Sequence, residues 1–177
     1  MLDPAGMQDL SQEPEAAESM FYDTGKLRAL VPEGWAAFPV PDVFADEPGK
    51  MKTSCFYIIK GGTSDSDVHS KPYVMLEYYG SDIPVTEPDE VLFANVEEVS
   101  SMQIGERIWN GYVGEDLSGG YGNAVIGRMA SLWTVENGVY LTATIRLEFD
   151  GQKDKISLED KELQAILASV ELSDDSK

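Results

Sequence analysis

The chain has 177 residues, 42% of them apolar and 25% charged, a composition that suits one domain with a full core and excludes wholesale disorder. Its 32 acidic residues against 13 basic ones leave a formal charge of −19. Such a field repels nucleic acid and anionic lipid headgroups, and it favours solubility and cationic partners. No basic patch offsets it: the densest run, Lys50, Lys52, Lys60 and Lys71, is interrupted by Asp65 and Asp67.

In chain order, residues 1–19, "MLDPAGMQDLSQEPEAAES", carry acids, two prolines and no base, and are expected to form a flexible tail. The stretch resembles the acidic stalk that follows a membrane anchor, which implies that a native signal or anchor precedes Met1. The alternative is a cytoplasmic protein with a loose end. No apolar run approaches the roughly eighteen residues of a spanning helix, and the N-terminus lacks a basic-then-apolar signal. Residues 20–173 are expected to form one domain and 174–177 a second short tail.

"FYDTGKLRALVPEGW" predicts two short strands around a turn at Asp23–Lys26, with Pro32, Glu33 and Gly34 stopping the second and leaving Trp35 at its exit. Prolines 39, 41 and 48 predict an irregular connection from there to Ser54. "SCFYIIK" and "YVMLEYY" are β-branched and aromatic runs bounded by turn residues, hence strands. Thr86 and Asp89, followed by Val91, Leu92 and Ala94, predict a helix start. "VYLTATIRLEF" places Val139, Leu141, Ala143, Ile145, Leu147 and Phe149 on one face, a strand with one buried side. Asn137-Gly138 before it predicts a type I′ hairpin with "NAVIGRMASLWTV". Ser157 and Asp160 resemble a capping box for a closing helix whose stripe is Leu163, Ile166, Leu167 and Val170.

The motifs that suggest chemistry fail on spacing. "WNGYVGEDLSGGYGN" holds Gly119, Gly120 and Gly122 but no Gly-Lys-Ser/Thr, so it is no phosphate loop; Ala124 stands where a calcium-binding nonapeptide carries its aspartate. A turn between two strands is the reading that remains. "SDSDVHS" offers Asp65, Asp67 and His69 as candidate metal ligands, but an EF-hand would need glycine at 70 and glutamate at 76, where Ser70 and Leu76 stand. His69 is the single histidine and Cys55, in an apolar run, the single cysteine, so no disulfide within the chain and no zinc cluster is expected. Neither a Gly-x-Ser-x-Gly elbow nor a Ser-x-x-Lys pair occurs. No cofactor is called for. The acids offer many pairs of the kind a carboxylate-based hydrolase uses, and sequence alone selects none. The aromatic residues Trp35, Tyr78, Tyr79 and Tyr112 are the candidate ligand-binding positions, with Tyr78 and Tyr79 on opposite sides of one strand.

"YDTGKLRALVPEGW" is similar to the opening of the PsbP-like superfamily, where a hairpin leads to a comparable exit at a tryptophan. "IGERIWNGYVG" resembles a strand of uncharacterised surface proteins from Firmicutes, and "ISLEDKELQAILASVEL" is similar to the closing helix and strand of both. The likeness covers Phe21 to Leu172 in order of elements and three phrases in sequence; Trp35, Gly111 and Tyr112 are expected to be packing residues within it. It implies an α+β fold, an α/β/α sandwich around a mainly antiparallel sheet. It also implies a bacterial envelope domain on the extracellular face of a membrane, in a superfamily whose known members bind and assemble rather than catalyse. The expectation is a non-enzymatic domain that binds a protein, peptide or glycan. The alternatives are a small carboxylate-based hydrolase and a cytoplasmic partner-binding protein.

Overall fold

A computed structural model describes residues 19–119 and 124–173. Residues 1–18, Gly120, Gly122 and the 174–177 tail lie outside the described residues. The first hairpin forms as its turn chemistry dictates: β1 (Ser19–Asp23) and β2 (Leu27–Pro32) flank a turn in which the Asp23 carboxylate accepts the Gly25 N–H at 2.8 Å. Gly25 has φ +96°, a conformation that glycine adopts without a Cβ penalty. Strand β1 thus begins at Ser19, one residue inside the expected tail. Leu27, Ala29 and Val31 alternate into the core.

The segment after Trp35 departs from expectation. It is a strand, β3 (Trp35–Pro41), prolines included. The reason is its place at the edge of the large sheet: β3 pairs on one side only, with β4 (Met51–Lys60), so the N–H groups that Pro39 and Pro41 lack cost less there than in a central strand. A short 3-10 helix (Asp65–His69) leads to β5 (Tyr73–Gly80).

The expected second helix is also overturned. Asp89 starts one turn, accepting from the N–H groups of Val91, Leu92 and Phe93, but the chain then extends into β6 (Phe93–Ile104). Pairing with β7 (Arg107–Asp116) outweighs the local cap, and β-bulges mark the pairing near Asn95 and Ser101, both at positive φ. Strands β8 (Gly127–Glu136) and β9 (Val139–Phe149) follow, joined by Asn137 and Gly138 with φ of 55° and 79° as a type I′ turn requires. The closing helix α1 (Lys161–Ser169) starts later than Ser157. Asp160 is its N-cap, and its side chain turns back to accept from the Ser157 N–H at 2.9 Å rather than capping the helix. Strand β10 (Glu171–Leu172) ends the described chain.

Two antiparallel sheets result. The large one has the order β3-β4-β5-β9-β8-β7-β6, and the small one β10-β2-β1. The fold is therefore mostly antiparallel sheet with one α-helix among the described residues, and the second helical layer of an α/β/α sandwich is not among them. One face of the large sheet, through Phe56, Leu76, Ala143, Leu132 and Trp109, packs on Leu163, Ile166 and Leu167 of α1 and on the inner face of β2. Ser169 Oγ accepts the Leu30 N–H at 2.8 Å and Arg107 donates to the Val170 carbonyl at 2.7 Å, tying the helix end to both sheets.

The connection 81–92 is constrained by this order. It leaves β5 where Gly80 lies beside Tyr140, and enters β6 where Phe93 faces Asp116, the far end of β9 and four strands away. On a sheet of ordinary spacings those points are about 35 Å apart, while the connecting residues reach at most about 45 Å. Turns at Tyr79–Asp82 and Asp89–Phe93 close the two ends of the segment, and the residues between them run across the sheet. Because α1 and the small sheet occupy one face, it straps the other, with Pro84 buried and Ile83 and Val85 turned outward.

Strand β9 keeps the predicted alternation, with Leu141, Ala143, Ile145 and Leu147 on its buried side, and departs from it at Arg146 and Phe149. A register shift between Arg146 and Glu148 breaks the period. It brings Phe149 under the Arg146 guanidinium, 4.5 Å from ring centre to Cζ, and buries Arg146 itself on the strapped face. Arg146 Nη2 donates to Asp116 Oδ2 at 2.6 Å, and both side chains are nearly inaccessible. Burial pushes the Asp116 carboxyl up, but the hydrogen bonds from Ser118 and Arg146 outweigh it and hold the group below the usual carboxylate range. That contribution to stability is present above the ordinary carboxylate pKa and is lost as pH falls through the lowered one.

Two stability predictions follow from these contacts. Asp116→Ala leaves Arg146 buried without its partner and should cost about 3–5 kcal/mol in urea unfolding, most of it recovered in the double variant with Arg146→Met. Gly111, at φ +154°, places any Cβ into the Ser131 carbonyl of β8, so Gly111→Ala should cost about 1–3 kcal/mol or more by the same measurement.

Candidate functional site

The strapped face of the large sheet is where the sheet's polar chemistry collects. The antiparallel register lays it out in rows. One row runs Tyr57, Met75, Thr144, Ser131, Tyr112 from β4 to β7, and the next runs Cys55, Glu77, Thr142, Trp133, Asn110. Side chains two apart on a strand share a face, which adds Tyr79, Tyr140, Val135 and Ile108 beyond the second row. Rings pair within the face: Trp133 lies 6.3 Å from Tyr140, Phe93 packs edge-on to Tyr112 at 5.6 Å, and Tyr57 packs edge-on to Tyr73 at 5.3 Å.

Charge is nearly excluded from these rows. Asp116 is neutralised by Arg146, and Glu98 pairs with Tyr112 on the edge strand β6. Glu77 is the acid in the middle. Burial pushes its carboxyl up, with Lys52 opposing. Around it, burial first and the Glu77 charge second raise the Cys55 thiol and the Tyr79 phenol, and burial, Cys55 and Glu77 raise the Tyr57 phenol. Cys55 is 3% exposed, so a thiolate nucleophile is disfavoured here and the residue behaves as the small buried hydrophobe its apolar run implies.

The aromatic candidates divide between the two sides of the sheet. Tyr79 is half-buried on the strapped face, and Tyr112 is on that face but packed beneath Phe93 with 8% of its surface exposed. Tyr78 is on the core side, with the Lys26 ammonium 5.0 Å from its ring centre. Trp35 is 7% exposed and donates from Nε1 to Glu162 Oε1 at 3.2 Å, which pins β3 to α1. Trp35 and Tyr78 therefore lie on the covered side of the sheet and not in these rows. Besides Trp133, these rows bring in Tyr57, Glu77, Tyr140 and Thr142, which are not among the sequence candidates. Their period-two spacing was readable, but which of the two faces α1 would cover was not.

Asp65, Asp67 and His69 fall in the 3-10 helix. Asp67 is consumed as a cap: its carboxylate accepts the Thr63 N–H at 2.8 Å and the Ser64 N–H at 3.2 Å, and these bonds, the Thr63 one foremost, hold it below its usual range. Among the described residues no group of three or more His, Cys, Asp or Glu side chains could hold a metal ion.

Rings for stacking, with hydroxyl, amide and one carboxyl group between them, equip this face to hold a ligand or partner. His69 is in the 3-10 helix and not in these rows, so an imidazole base is not supplied there. Glu77 provides a test of the face's electrostatics. Its raised pKa means that stability is fully present below the ordinary glutamate value and falls as pH rises through the higher one. Glu77→Gln should raise the melting temperature at pH 7 and leave it unchanged near pH 3. No protein-family model matches the chain, and neither a curated protein nor a solved structure matches it.

Proposed function

We propose that the chain is a non-enzymatic binding and assembly domain of PsbP-like type, displayed on the extracellular face of a bacterial membrane. One observation carries the binding reading: on a chain of −19, the strapped face collects rings, hydroxyls and amides with almost no net charge. Charge depletion with aromatic enrichment is the composition of interface cores. The PsbP-like reading is supported by the order of elements: a hairpin exiting at Trp35, an antiparallel sheet, then a closing helix and strand. Where that fold would carry a second helical layer, this chain has the 81–92 strap. Among the described residues no helix is long and apolar enough to cross a membrane, so attachment falls to an anchor outside them.

Fractionation of the source cells, followed by intact mass of the native protein, tests the placement. A membrane-bound form heavier by a lipid or anchor is expected. A cytoplasmic form beginning at Met1 would overturn it.

A hydrolase built on paired carboxylates is the second reading, favoured by one feature. Glu97, Glu98, Glu148 and Glu159 line a concavity of about 370 Å³ together with Arg128. Turnover of any glycoside that vanished on Glu148→Gln alone would replace the binding reading with this one.

A further inference from the structure

The chain holds two Asn-Gly pairs, Asn110-Gly111 and Asn137-Gly138, and the fold treats them oppositely. Asparagine before glycine is the pair most open to loss of its side-chain amide, because no Cβ on the glycine keeps its nitrogen away from the asparagine Cγ. In a folded chain the reaction needs two freedoms. The glycine N–H must be unbonded, and the asparagine side chain must be able to turn back over its own backbone.

Asn110 has neither. Gly111 lies inside the ladder, paired with Val99 of β6 and Leu132 of β8, and Asn110 Oδ1 accepts the Ser101 N–H at 2.7 Å. Asn137 has both. It and Gly138 are exposed at the tip of the β8–β9 hairpin, outside either strand. Glu136 pairs with Val139 across the turn, and the Gly138 N–H makes no backbone hydrogen bond among the described residues. Nor does the Asn137 side chain have a hydrogen-bond partner among them. The nearest tie, Arg107 to Glu136 at 3.0 Å, fixes the residue before the turn and leaves the turn itself free to open locally.

We infer that Asn137 is a site of spontaneous covalent modification in the native protein, with water as the only co-reactant, and that Asn110 is protected by the sheet. The Gly138 nitrogen gives its proton to solvent and bonds to Asn137 Cγ. The bond from Cγ to the side-chain nitrogen breaks, and ammonia leaves. Water then opens the five-membered imide at one of its two carbonyls. Opening at Cγ returns an aspartate with the original backbone. Opening at the main-chain carbonyl leaves an isoaspartate, whose backbone runs through Cβ and Cγ and is one methylene longer. Either product adds a carboxylate beside Glu136. The isoaspartate also lengthens a two-residue turn whose geometry sets the β8–β9 register. The inference is independent of what the protein binds.

The test ages the full chain in neutral buffer and, in parallel, in guanidinium chloride above its unfolding midpoint. Peptide mapping by mass spectrometry then reads each pair for the amide-to-acid change and for the isoaspartate isomer. In the native protein Asn137 should lose its amide and Asn110 should keep it; in guanidinium the two should convert alike. Equal conversion of both pairs in the native protein would show that the sheet protects nothing. A native Asn137 that stays intact for a time that converts it in guanidinium would show that the turn holds the side chain rigid. Either result overturns the inference. The Asn137→Asp variant carries the new charge on an unaltered backbone, so the isoaspartate fraction of the aged chain should melt below it. Coincident melting curves would overturn the claim that the modification reaches the hairpin.

Discussion

The pairing of β9 with β5 is the constraint on which the rest of the structure depends. It joins residues 140–146 to residues 73–80 and so fuses a three-stranded meander with a four-stranded one into a single sheet. Because β6 must then lie at the far edge, the 81–92 segment has no short route and is drawn across the sheet. The same pairing seats Arg146 beside Tyr73 in the middle of the sheet, where its charge can be tolerated only with Asp116 against it. Loop closure over such a separation is costly, and the aliphatic rows of the core face are what offset it.

The two faces of the large sheet solve different problems. The inner face is a continuous apolar layer closed by α1 and the small sheet, and its polar ties are few and local: Trp35 to Glu162, Leu30 to Ser169, Arg107 to Val170. The strapped face is half-buried and mixed, with its one central acid, Glu77, held at a cost in desolvation. A strongly acidic chain gains solubility by spreading carboxylates over its surface. They are sparse along these rows, and Ile108 and Val135 stay exposed near the hairpin end.

Much of the fold was legible in residues whose signals are local. The Asp23–Gly25 turn, the Asn137-Gly138 hairpin, the strands at 54–60, 73–79 and 139–149 and the stripe Leu163, Ile166, Leu167 all reappear, because each depends on turn geometry or on a period within one element. The misreadings share a cause. Pro39 and Pro41 argued against a strand, yet the edge position tolerates them; Asp89 argued for a helix, yet β7 captured the residues that follow. Phe149 was assigned to the buried side of β9, and a bulge turned it under Arg146. In each case a partner distant in sequence decided the outcome.

The candidate site was half legible for the same reason. Sequence alone determined the charge, the lack of nucleophile and metal patterns at workable spacing, the turn positions and the opposite orientation of Tyr78 and Tyr79, since composition and the two-residue period of a strand need no tertiary information. It did not determine which face of the sheet α1 would cover, so Trp35 and Tyr78 stood equal with Tyr79 as ligand candidates. Tertiary structure places Trp35 and Tyr78 on the covered side and Tyr79 on the other, and it assembles Tyr57, Glu77, Thr142 and Trp133 from four different strands into adjacent rows. Such rows exist only once strand register is set, and register depends on which apolar faces meet across the whole domain.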